Sequence, residues 1–230
     1  MAALTEEQSM LKDQASAWAR DEAPVQKFRE MRDAGTEAGF TPATWESMVE
    51  MGWTGILVPE AYGGSDLGYL TFGVVLEELG RQLTASPLFA SALAGTSAIL
   101  LGGSEGQKSS LLPKVVDGSA ILTLAVDEGP RHGPAATAMS AEKSGDGFKL
   151  TGGKAFVLEG MSATTFVVAA RTSGQAGSMD GISLFLVPAD SAGVSRERLA
   201  TVDSRGYANV RFDGVQVGAD AVLGEVDQGG

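Results

Sequence analysis

The chain has one imidazole, His132, in the run Gly129-Pro130-Arg131-His132-Gly133. An imidazole can act as a base, a nucleophile's partner or a metal ligand. A hydrolytic triad needs a serine and an orienting carboxylate beside it, and no recognisable nucleophile motif accompanies this histidine. A site built on several histidines is excluded by the count, and the absence of cysteine removes disulfides, thiolate metal sites and a cysteine nucleophile. His132 therefore reads first as a solvated loop residue. Gly152-Gly153 lacks the strand-turn-helix setting of a dinucleotide fingerprint, so no Rossmann site is expected. No catalytic residue and no metal ligand can be named from these residues.

The elements that would position any site change character near residue 118. Before it the apolar spacing is helical. Thr5 and Gln8 form a capping box, and Leu11, Ala15 and Trp18 follow on one helical face. Thr41-Pro42 pairs an N-cap with a first-turn proline, and Gly52 can close that helix. Gly63-Gly64-Ser65-Asp66 is a turn, after which Phe72, Val75, Leu76 and Leu79 form a stripe that Gly80 should end. Ser86-Pro87 opens a helix to about Leu101 that is apolar all round and so expected to be buried. Ser104 with Gln107 gives a second capping box before Leu112-Pro113.

After Gly118 short runs of branched and apolar residues alternate with glycine-rich turns: 121–126, 148–150, 155–158, 166–170 and 182–187. Gly145-Asp146-Gly147 and Asp213-Gly214 read as hairpin turns. Residues 173–181 read as a surface loop. The expected class is α+β, with an all-helical N-terminal domain (1–118) and a small antiparallel β-barrel or sandwich domain (119–230).

The chain carries 17 basic and 29 acidic residues, a net charge of −12 that argues against nucleic acid or an anionic membrane as partner. With 43% hydrophobic residues there is enough apolar material for a core. The apolar stretch 91–101 is far shorter than the ~20 residues that span a bilayer. The opening Met1-Ala2-Ala3-Leu4-Thr5 has no basic segment leading into an apolar run, so a cytoplasmic protein is expected.

Four phrases, in order along the chain, resemble the acyl-CoA dehydrogenase family. They are Leu57-Val58-Pro59-Glu60-Ala61-Tyr62-Gly63-Gly64 with Glu77-Glu78-Leu79-Gly80-Arg81; Gly106-Gln107-Lys108 through Leu112-Pro113-Lys114 to Asp117-Gly118; Leu150-Thr151-Gly152-Gly153-Lys154; and Asn209 to Gly214 with Val215 to Val217 and Leu223-Gly224-Glu225. The resemblance implies FAD as cofactor and an acyl-CoA thioester as substrate. It also implies an electron-transfer flavoprotein or similar acceptor, a homo- or hetero-oligomer, and a role in lipid metabolism such as fatty acid β-oxidation. It assigns cofactor contact to a first strand, Thr123, Leu124, Ala125 and Val126, and a second, Phe156, Val157 and Leu158. It assigns His132 to the place of a serine near the acyl-CoA.

Departures from the family pattern fall in those same strands. Two threonine hydroxyls expected beside the flavin fall on Val126 and Leu158, which cannot donate hydrogen bonds. Two lost neutral hydrogen bonds weaken binding by ~1 kcal/mol each. Phe156 can still cover a ring face. The family's catalytic glutamate belongs to a C-terminal helical bundle not found in residues 1–230, so the resemblance implies a truncated enzyme without its base. The alternative is a non-catalytic partner subunit of a heteromeric acyl-CoA dehydrogenase. A related monooxygenase or oxidase on the same scaffold is a third class.

Overall fold

The computed structural model describes residues 4–230; Met1-Ala2-Ala3, part of the segment read above for a secretory signal, lies outside the described residues. Among the described residues six α-helices come first: α1 (Glu6–Asp21), α2 (Val25–Asp33), α3 (Pro42–Glu50), α4 (Gly68–Arg81), α5 (Thr96–Gly102) and α6 (Glu105–Val116). Both capping boxes form, each hydroxyl accepting an N–H three residues on and each glutamine accepting the cap's own N–H. Thr41 caps α3, and Gly52 ends it in the left-handed region at φ +74°. The helices pack around Trp18, Met48, Trp53, Phe72 and Leu88. Trp18 and Trp53 meet edge to face at 5.0 Å.

Two helical expectations are corrected. Gly80 lies inside α4, which runs one residue further; the left-handed turn falls on Leu83 at φ +56°. The segment opened by Ser86-Pro87 is a π-helix, Phe89–Gly95, leading into α5. It is not buried all round, since Phe89 and Leu101 are exposed. The widened turn lets Ser91 reach across: its hydroxyl donates to the Ala120 carbonyl at 3.4 Å and accepts the Leu122 N–H at 3.1 Å. Gly95 lies against the Leu122 side chain, leaving no room for a Cβ.

The second half is one open sheet in the order β6-β7-β3-β2-β4-β5-β8, with β1 pairing β4. Its strands are β1 (Leu122–Ala125), β2 (Ser140–Ser144), β3 (Gly147–Val157), β4 (Thr165–Arg171), β5 (Ile182–Pro188), β6 (Val194–Arg198), β7 (Ala208–Val217) and β8 (Val222–Leu223). The expected α+β class holds, helices first and a sheet domain second; barrel or sandwich describes that sheet only loosely, because it does not close. It is also mixed: β1 and β2 each run parallel to β4, since the β2–β3 hairpin is inserted between β1 and β4.

Gly145-Asp146 turns β2 into β3 as expected, with Ser144 paired to Gly147. Asp213-Gly214 is no hairpin. It lies inside β7 as a bulge, where the register against β3 shifts between Leu150 and Gly152. The runs 148–150 and 155–158 are correspondingly one strand, β3, up to Val157. Strands β2, β6 and β8 escaped the sequence reading. The sheet's core holds Phe148, Phe166, Phe185 and Phe212. A third cluster, with Val58, Ile99, Leu112, Leu122 and Leu186, belongs to both halves. Among the described residues no helix is long and apolar enough to cross a membrane.

Candidate functional site

Strand β1 leaves the sheet at Ala125, and its continuation meets the far end of β3. The Ala155 N–H donates to the Asp127 carbonyl at 2.7 Å. The Thr123 hydroxyl donates to the Leu158 carbonyl at 2.5 Å. Lys154, its ammonium fully buried, donates to the Val126 carbonyl at 2.9 Å and to Glu128 Oε1 at 2.7 Å. Glu128 in turn accepts the N–H groups of Ala138 and Met139 at 2.9 and 3.0 Å. Burial pushes the Lys154 ammonium below its ordinary pKa, while Glu128 and Asp127 oppose that shift. The glycine-x-lysine phrase of the sequence is thus a clamp that fixes two strand ends to each other.

Past the clamp, β3 breaks its pleat. Phe156 sits at φ +54°, a strained value for a bulky residue, and the residue is 59% exposed. Tyr207 tilts against it with centroids 5.6 Å apart, and the Asn209 side-chain oxygen accepts the Phe156 N–H at 3.4 Å. An aromatic ring held out of the core on a braced strand end is a stacking surface.

The seven residues assigned to a cofactor do not share one environment. Ala125 and Val157 are buried in the sheet core, and Leu124 packs in the cluster shared by both halves. Thr123 is fully buried and its hydroxyl is already committed to Leu158. What these four could offer a ligand is main chain. Phe156 is exposed, and Val126 and Leu158 are half-buried. Their juxtaposition at one edge follows from the Thr123 and Lys154 bonds.

His132 stands in the loop after β1 with its side chain 76% exposed, and its Nδ1 is 3.0 Å from Asp127 Oδ2. Asp127 Oδ1 accepts the Gly133 N–H at 2.9 Å. Burial alone would raise the Asp127 carboxyl, but His132 and the Gly133 N–H outweigh it and hold it below the usual range. The sequence showed no acid tied to this histidine; the loop's return on itself supplies one. Among the described residues no group of three or more potential metal ligands converges.

Two family domain profiles match: the acyl-CoA dehydrogenase N-terminal domain over residues 5–119 and the middle domain over residues 124–215. The mitochondrial isovaleryl-CoA dehydrogenase of Pongo abelii is 32% identical over 98% of this chain and 55% of its own length. The solved structure of the Tcur3481-Tcur3483 steroid ACAD G363A variant superposes with a TM-score of 0.83 at 35% identity, covering 95% of this chain and 57% of that one. The ChsE4-ChsE5 complex of Mycobacterium tuberculosis gives 0.86 at 28% identity, covering 99% and 59%. The chain spans about half the length of the curated relatives it matches. The family and its structural neighbours are FAD-dependent flavoproteins. On these matches the chain belongs to the acyl-CoA dehydrogenase family.

Proposed function

We propose that this chain supplies two walls of a flavin slot in an enzyme that desaturates an acyl-CoA thioester between its α and β carbons. The walls are a helical one within residues 1–118 and a sheet edge within 119–230. The observation that carries this reading is Phe156, a strained, exposed ring on a braced strand end, at the position the family resemblance assigns to the flavin. The edge fits the group in part. It has an aromatic face, but Val126 and Leu158 provide no side-chain donor beside it.

FAD, when bound, would accept the hydride from the β carbon. This chain's own residues hold the geometry for that transfer. Phe156 would cover one ring face, and the Lys154–Glu128 clamp with the Thr123 bond keeps both strand ends from drifting. His132, held through Nδ1 by Asp127 with its side chain 76% exposed, would meet the thioester's polar part. The base that removes the α proton would come from outside these residues. Electrons would then pass to an electron-transfer flavoprotein or a similar acceptor. We place the enzyme in cytoplasmic lipid metabolism, fatty acid β-oxidation included, as a homo- or hetero-oligomer.

Half-buried Val126 and Leu158 favour a second reading: a subunit with weakened flavin binding inside a two-component dehydrogenase, an assembly of two different chains like the neighbouring ChsE4-ChsE5 complex. Expression from the full reading frame, followed by anaerobic addition of acyl-CoA thioesters, separates the readings. Bleaching of the flavin's visible band supports the enzyme. A colourless protein that co-purifies with a yellow homologue supports the partner, and a colourless protein alone contradicts both. Oxygen consumption with the substrate would point instead to an oxidase or monooxygenase.

A further inference from the structure

Three residues beyond Phe156, Glu159 is fully buried and also holds a positive φ, +51°. Its Oε1 is paired with Arg205, whose Nε lies 2.7 Å away and whose Nη2 also bonds it. The same Nη2 donates to the carbonyl of Ser86, at the head of the segment leading into the π-helix. The backbone of Arg205 and Gly206 passes so close to Ala38 and Gly39 that neither Gly39 nor Gly206 could carry a Cβ. Arg198 adds bonds to the carbonyls of Thr36 and Glu37, both at 3.3 Å. One tight seam therefore joins the strand end that presents Phe156 to the helical half. Glu159 is its buried charge, and among the described residues its Oε2 has no hydrogen-bond partner.

We propose that Glu159 and Arg205 form a proton-responsive joint that sets the Phe156 edge against the helical half, closing more firmly when Glu159 is protonated. The inference stands apart from the flavin reading, because it concerns only how the two halves meet. Its physics is desolvation. An ionised carboxylate with one unsatisfied oxygen gains hydration if the seam opens, whereas a neutral carboxyl gains little. The groups facing Glu159 are Arg205, which favours the charged form, Asp203, which opposes it, and Tyr207 alongside; from the helical half the Ser86 carbonyl accepts from Arg205 and the Ala38 carbonyl lies against Gly206. Burial dominates and pushes the carboxyl up from 4.5 to about 7. The seam binds the proton more tightly than an opened state does. Closure is therefore favoured at low pH and weakens as pH rises from 4.5 through about 7.

Amide hydrogen exchange of the chain, corrected for its intrinsic pH dependence, reads this directly. In the wild type, opening of segments 34–40, 84–90, 156–163 and 203–208 should rise at least about tenfold between about pH 5 and about pH 7.5. Glu159→Gln should flatten that rise and leave the seam at least as protected at the upper pH as the wild type. Arg205→Lys keeps the cation but loses the fork that spans Glu159 and Ser86, so segment 84–90 should exchange faster at both pH values. Equal pH responses in wild type and Glu159→Gln, or a change spread evenly over both halves, would overturn the joint. Should Glu159→Gln fail to fold, a carbon-13 titration of Glu159 in the wild type decides. A midpoint near neutrality supports the joint, and one in the ordinary carboxylate range rejects it.

Discussion

Two ion pairs lie within six residues on the same strand end, and they are built oppositely. At the clamp the cation is buried: the Lys154 side chain is 0% exposed while Glu128 keeps 21% of its surface in water. At the seam the anion is buried: Glu159 is 0% exposed and Arg205 keeps 22%. The clamp is satisfied, with Lys154 holding a carbonyl and a carboxylate and Glu128 holding two N–H groups besides. The seam leaves an oxygen unpaired. A charge whose every polar atom has a partner gains little from opening, whereas one with an oxygen left without any partner gains more. The first pair therefore fixes geometry and the second can answer to pH.

The sharpest way to break this contrast is to remove each partner of the clamp. Glu128→Ala leaves a buried ammonium uncompensated and should cost about 3–5 kcal/mol in urea unfolding. Lys154→Met keeps the apolar stem and removes that charge, so it should cost clearly less. Equal losses would mean the clamp acts by packing rather than by charge.

The seam should show in global stability with the opposite pH sense from an exposed carboxylate pair. Glu159 has a folded pKa raised to about 7, so its contribution is fully present below its unfolded value of 4.5 and is lost as pH rises through about 7. The wild type minus Glu159→Gln difference should change by about 3 kcal/mol across that window, from the shift at about 1.4 kcal/mol per unit. A flat difference would mean Arg205 neutralises the cost completely.

A smaller effect probes the weakened edge. Leu158→Thr restores a hydroxyl where the family resemblance expects one, and should tighten flavin binding by about 1 kcal/mol, roughly fivefold. No gain in a flavin titration would place position 158 away from the ligand. Smallest of all, His132→Ala should change stability by no more than about 0.5 kcal/mol, because the side chain is exposed. It should nevertheless let the Asp127 carboxyl titrate at a higher pH in carbon-13 spectra, since His132 helps to hold it low. An unmoved Asp127 would show that the Gly133 N–H does that alone.

The helical half was legible because its signals are local. Thr5 with Gln8 and Ser104 with Gln107 sit three residues apart, and each cap forms. The sheet was legible as strands but not as a sheet. Asp213-Gly214 has the chemistry of a hairpin turn, yet pairing of β7 with β3 on both sides turns it into a bulge. Strands β2 and β6 are polar and half-exposed, so no apolar run marks them. At the candidate site, family resemblance assigned seven residues on two strands to the cofactor, and burial divides their side chains between core and edge. The partners of Lys154, His132 and Glu159 lie 26, 5 and 46 residues away and were invisible, because only the folded chain brings them together.

Phe156 as a stacking face is the central claim, and titration of FAD by quenching of its own fluorescence tests it directly. Wild-type protein should quench the flavin to saturation, Phe156→Trp should do so at least as well, and Phe156→Ala should lose about tenfold in affinity, the loss of one stacked ring at ~1.4 kcal/mol. Identical curves for all three proteins would contradict the claim, because the exposed ring would then be no wall of the flavin slot.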